Sequence, residues 1–178
     1  MENLNEIVVQ IRDGHIEAYS DIIKYYQNHI YGYLLRLTLN HQDAEDLTQE
    51  TFTIAFYKLN QLKDINSIKS WLFSIAHNQA MQLFRLKRKN QEIVDRLKSN
   101  LRSFTLKFED VEFLDSIQEI LSPFEMSLLM LRIVEEMSYE ELSICLKKNP
   151  TALRKQYERL RKKLQAELDH KREVIAND

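Results

Sequence analysis

The 178-residue sequence predicts an all-α fold: two small helical domains joined by a linker, the C-terminal one a helix-turn-helix. Three observations carry this. Only two glycines and two prolines are present, and a β-rich chain of this length needs many tight turns built from such residues. Charged residues make up 29% and recur at helical spacing among apolar ones. Three helix-start signals punctuate the last third.

Leu4, Ile7, Val8 and Ile11 mark a first short helix, with Gly14 placed to end it. Ala18, Ile22, Tyr26, Ile30, Tyr33, Leu34 and Leu37 define a second over about 16–39. Asn40-His41-Gln42 interrupts the pattern, and an acidic helix follows over about 43–59. Residues 60–69 read as a polar loop, with Ser67 an N-cap candidate for a long helix ending near Lys89. Residues 91–112 have weak periodicity and read as a linker or a loosely packed helical connector. This places domains at 1–90 and 113–178.

Ser122-Pro123-Phe124-Glu125 combines an N-cap, a proline at the first helical position and a capping box. Ser138 and Glu141 form a second box, with Met137 and Leu142 as a hydrophobic staple, and Asn149-Pro150 is a third start. Helices over about 123–134, 139–147 and 150–168 follow. The short connection between the last two is that of a helix-turn-helix. Its turn at Lys147-Lys148 lacks the glycine that a left-handed residue favours.

The formal net charge of −2 conceals sorted charge. Bases dominate from Arg85 to Lys107, acids from Glu109 to Glu141, and bases again from Lys147 to Lys163. Phosphates respond to such local potential, so a near-neutral chain of this kind is able to bind nucleic acid. No apolar run approaches the roughly 20 residues of a membrane span. The first residues lack the basic and apolar regions of a signal peptide, and Cys145 stands alone. Together these point to a cytoplasmic protein without direct membrane insertion.

Three faces carry functional candidates. At 100° per residue, Asp43, Asp46, Gln49, Glu50 and Thr53 share one side of the acidic helix, with Ala44, Leu47, Ile54, Ala55 and Leu59 on the other. Periodicity alone makes that stripe either a solvated face or a docking surface. On the long helix, Trp71, Ser74, Asn78, Gln82, Arg85 and Lys89 align, joined by Arg88 at the basic end. An aromatic, then amides, then bases suits DNA whose bases are unpairing. Trp71 as a core anchor, and the bases as a solvated helix end, are the plain alternatives. On the last helix, Leu153, Tyr157, Leu160 and Leu164 form an apolar spine. Thr151, Lys155, Glu158 and Lys162 project opposite, flanked by Arg154, Arg159 and Arg161. Bases neutralise phosphate or read guanine and glutamate accepts from cytosine, as a recognition helix requires. A basic solvated helix or half of a coiled coil would show the same pattern.

Three linked segments give the chain a close resemblance to the sigma factors of the extracytoplasmic-function (ECF) group. Asp43-Ala44-Glu45-Asp46-Leu47-Thr48-Gln49-Glu50-Thr51-Phe52 resembles the family's polymerase-binding segment. Trp71-Leu72-Phe73-Ser74-Ile75-Ala76-His77-Asn78, with Arg85, resembles its tryptophan-leucine, isoleucine-alanine, asparagine and arginine pattern. Leu121 through Leu164 is similar to its C-terminal helix-turn-helix, most clearly at Met137–Leu142. Gln82, Met126 and the Tyr157-Glu158 pair depart from the family pattern.

The resemblance implies a transcription initiation factor, not an enzyme, that binds core RNA polymerase and promoter DNA. It implies that Asp43, Asp46, Leu47, Gln49, Glu50 and Thr53 meet the polymerase. Trp71, Ser74, Asn78, Gln82, Arg85, Arg88 and Lys89, with the 60–69 loop, would read and open the minus-ten element. Thr151, Arg154, Lys155, Glu158, Arg159 and Lys162 would read the minus-thirty-five element. An anti-sigma factor, often membrane-anchored in this family, would restrain it. No cofactor, metal or small-molecule substrate is implied: the five histidines are scattered without ligand spacing, and no glycine-rich phosphate loop occurs. Two rivals remain at this point. An ordinary helix-turn-helix regulator would bind DNA without polymerase, and a helical adaptor would show no salt-dependent DNA affinity.

Overall fold

The computed structural model describes residues 4–97, 117 and 120–176. Among these, no strand occurs. Helix α1 (Leu4–Arg12) buries Ile7 and Val8 and ends before Gly14, whose φ of +101° lies where a Cβ is disfavoured. After a 3-10 turn at Ile16–Ala18, α2 (Tyr19–Thr38) buries the heptad-like stripe Ile22, Tyr26, Ile30, Tyr33, Leu34 and Leu37.

Helix α3 (His41–Lys58) starts two residues earlier than the sequence pattern placed it. Asn40, a break in the apolar pattern, is its N-cap: the Asn40 side-chain oxygen accepts from the Asp43 N–H at 2.9 Å. The expected polar loop is two 3-10 turns, Leu59–Gln61 and Ile65–Ser67, with Leu59 and Leu62 buried beneath it. Asp64 caps the second of these turns, accepting from the Asn66 N–H at 3.0 Å, and the Ser67 hydroxyl donates back to the Asp64 carbonyl at 2.7 Å.

Helix α4 (Ile68–Leu97) continues eight residues past Lys89. The expected linker therefore begins as helix at 91–97, and its remainder at 98–112 lies outside the described residues. In the C-terminal part, α5 (Pro123–Ile133) and α6 (Tyr139–Leu146) each start with a complete capping box, at Ser122/Glu125 and Ser138/Glu141. Helix α7 (Pro150–Ala176) runs beyond the expected end near 168. Lys147, between α6 and α7, adopts the left-handed conformation at φ 53° without being glycine. The turn thus keeps the geometry of a helix-turn-helix and bears the strain.

Helices α2, α3 and α4 pack around one another with α1 against α2, while α5, α6 and α7 form a second group. The two groups touch: α6 lies on α4, and α5 contacts α2 and α4. No helix among the described residues is long and apolar enough to cross a membrane.

Candidate nucleic-acid and partner interfaces

The α3 stripe is solvent-facing as its spacing predicts. Asp46, Gln49, Glu50 and Thr53 are exposed, Asp43 is half-buried, and Leu47 packs partly into the core. Gln42 Nε2 donates to Asp46 at 3.0 Å, ordering the carboxylate along the helix. Lys87 of α4 pairs with Asp43, a link between the acidic stripe and the basic helix end that spacing alone does not reveal.

Beside the stripe, α2 and α3 leave a groove of about 530 Å³. Ile23, Phe52, Phe56 and Tyr57 line it together with Gln49 and Thr53. Tyr57 is 78% exposed, so the polar ridge borders an aromatic surface. Sequence reasoning missed these aromatics. Their signal is that Phe56 and Tyr57 interrupt the polar–apolar division of the helix.

On α4 the predicted stripe divides. Trp71 is half-buried against the core, so its anchoring role is real, while its remaining surface stays accessible. Ser74 donates to the Trp71 carbonyl at 2.7 Å, and Asn78 is half-buried. Gln82, Arg85, Arg88 and Lys89 are exposed. The preceding turns are held from below by Arg12, whose guanidinium donates to the Leu62 carbonyl.

On α7, Leu153 and Leu160 are buried and Tyr157 and Leu164 pack beside them, as the apolar spine requires. Thr151, Arg154, Lys155, Glu158, Arg159 and Lys162 are all exposed. Asn149 accepts from the Thr151 N–H at 2.9 Å, starting the helix in register. Lys163 Nζ donates to Glu125 at 3.3 Å and ties α7 to α5. The Arg154 guanidinium lies 5.0 Å from the centre of the Tyr139 ring. That cation–π contact aims Arg154 outward from the first turn of α7, and it too was invisible to helical spacing.

This is an apolar-backed helix with six exposed polar or charged side chains, behind a capped helix and a short turn. It suits insertion in a major groove. Among the described residues, no group of three or more His, Cys, Asp or Glu side chains could hold a metal ion.

Comparison with known proteins agrees with this geometry. The Sigma-70 region 2 family matches residues 22–90, which cover most of α2, all of α3 and most of α4. RNA polymerase sigma factor YlaC of Bacillus subtilis is 30% identical over 145 residues, covering 72% of this chain and 79% of that protein. ECF RNA polymerase sigma factor SigM of the same organism is 31% identical over 130 residues, covering 69% and 78%. The chain belongs to the ECF RNA polymerase sigma factors. This sigma factor also shares its fold with CnrH, solved in complex with the cytosolic domain of CnrY, at a TM-score of 0.73 and 22% identity. That likeness covers 93% of this chain and 97% of the other. As a sigma factor it is a transcription initiation factor that directs RNA polymerase to promoters.

Proposed function

We propose that the three surfaces divide the work of initiation. The α3 stripe, Asp43, Asp46, Leu47, Gln49, Glu50 and Thr53, docks on core polymerase, with the Phe56/Tyr57 groove extending the contact. The α4 stripe, Trp71, Ser74, Asn78, Gln82, Arg85, Arg88 and Lys89, with the turns at 59–67, reads and opens the minus-ten element. Thr151, Arg154, Lys155, Glu158, Arg159 and Lys162 of α7 read the minus-thirty-five element. The sequence divides accordingly into functional units at 1–90 and 113–178.

The observation that carries this reading is the order of the three faces: an exposed acidic ridge, then a helix running from half-buried Trp71 to exposed bases, then a capped basic helix with an apolar back. The chain performs no covalent step, and binding energy to polymerase and phosphate drives melting. It acts in the cytoplasm. An anti-sigma factor is a fitting partner, since RpoE of Bartonella quintana, a structural neighbour at TM-score 0.69, was solved with the anti-sigma factor NepR.

A pull-down with purified bacterial core polymerase tests the docking face. Wild type should bind stoichiometrically, and an Asp46→Arg/Gln49→Ala double variant should not. Equal binding by both would remove α3 from the interface.

A further inference from the structure

Helix α1 lies before residues 22–90, the part of the chain that matches Sigma-70 region 2. It buries Ile7 and Val8 and lies against the second of the two 3-10 turns that follow α3. Its C-terminus is fixed by backbone geometry. The His15 N–H donates to the Gln10 carbonyl at 3.0 Å and the Gly14 N–H to the Ile11 carbonyl at 3.1 Å. This pair of bonds is a Schellman closure, and it uses the left-handed φ of +101° that Gly14 supplies. Arg12 is the last helical residue before the closure, where a cation also meets the negative end of the helix dipole.

From there Arg12 reaches across 50 positions of sequence, and its Nη2 donates to the Leu62 carbonyl. Leu62 sits between the two 3-10 turns and is buried, as Leu59 and Ile68 are. The first turn closes on the Leu59 carbonyl, which accepts from the Leu62 N–H at 3.1 Å. The second closes on the Asp64 carbonyl, which accepts from the Ser67 N–H at 3.1 Å. The Leu62 carbonyl falls between these closures and takes its hydrogen from α1.

The buried leucines hold the segment down, but apolar contact is non-directional and leaves the Leu62–Lys63 peptide plane able to rotate. A charge-assisted hydrogen bond is directional and fixes that plane. On either side of it stand the exposed side chains Gln61, Lys63 and Asn66. Their amide and ammonium groups can donate to base edges or phosphate.

We propose that Arg12 is a positioning residue for minus-ten recognition. It braces the turns at 59–67 from α1, so that Gln61, Lys63 and Asn66 meet DNA in one geometry. The brace stands on the contacts above, whereas its effect on base reading rests on the minus-ten assignment of these turns.

Amide exchange of the full chain, followed by NMR without polymerase or DNA, tests the brace. Arg12→Met keeps an aliphatic stem and a good helix former but removes the donor. Exchange at the Leu62, Asn66 and Ser67 amides should become about tenfold faster, the scale of one charged hydrogen bond. Amides within α1 should exchange as in wild type. Arg12→Lys, which still carries a donor, should recover most of the protection. Unchanged exchange in Arg12→Met, or acceleration spread equally through α1, would overturn the brace.

The consequence is read with holoenzyme on promoters randomised at the minus-ten element. Discrimination between the preferred base and the others should fall several-fold in Arg12→Met and return in Arg12→Lys. Core-polymerase affinity and minus-thirty-five preference should keep their wild-type values, which a general loosening of the chain would not spare. Faster exchange with unaltered minus-ten preference would overturn the positioning role. A wild-type holoenzyme indifferent to minus-ten sequence would sink the assignment of these turns, and the positioning role with it. The exchange rates would still decide whether the brace exists.

Discussion

His77 shows how a single side chain links the site to the rest of the molecule. Burial pushes its pKa down from 6.5 to about 4, aided by the nearby Lys147 charge. Tyr33, Ser127 and Phe124 surround the ring. A base held below its ordinary value gives stability that is complete above pH 6.5 and is lost as pH falls toward 4. The full loss is on the order of 3 kcal/mol. Melting temperature measured from pH 7.5 to 4.5 should therefore fall more steeply for wild type than for His77→Gln. The His29–Glu135 pair is common to both proteins, so the difference isolates His77. Parallel pH profiles would show that the imidazole stays hydrated. At Tyr139, ring removal should free Arg154, which lies 5.0 Å from it. Tyr139→Phe should bind promoter DNA like wild type, and Tyr139→Leu should weaken binding several-fold in a gel-shift titration with holoenzyme. Equal loss in both would point to the hydroxyl instead.

At the level of elements, the capping boxes made α5 and α6 legible from four residues each, because a Ser and a Glu three apart fix a boundary by satisfying two backbone donors. The spine of α7 was legible for a similar reason: Leu153, Tyr157, Leu160 and Leu164 repeat at helical spacing. The start of α3 was not, since Asn40 caps from a stretch whose His41 and Gln42 are too polar to register as amphipathic. The far ends of α4 and α7 escaped because long polar helices lose the apolar period that announces them. The exposed residues of the three candidate faces follow from periodicity. Their cross-links do not, because Lys87–Asp43 and Arg12–Leu62 join residues 44 and 50 positions apart. At the turn before α7, Lys147 holds φ 53°, a conformation costing a non-glycine residue about 1 kcal/mol. Lys147→Gly should raise the melting temperature by a few degrees in calorimetry. A drop would mean that the Lys147 side chain contributes more than its backbone strain costs.

For the whole molecule, charge is distributed by segment, so net charge of −2 says little about partners. The exposed bases of α7 should give holoenzyme–promoter affinity a steep dependence on salt. Lys155→Ala with Lys162→Ala should lower the slope of log affinity against log salt by about 2 if both meet phosphate. An unchanged slope would take these lysines off the backbone. The three candidate faces, on α3, α4 and α7, lie on separate helices of one chain. The most direct test of promoter direction is transcription in vitro from fragmented genomic DNA of the source bacterium, using its core polymerase with and without this chain. Start sites that appear only with the chain and share two upstream motifs are the predicted result. Core polymerase initiating identically in its presence and absence, with the chain folded and in excess, would contradict promoter direction by this chain.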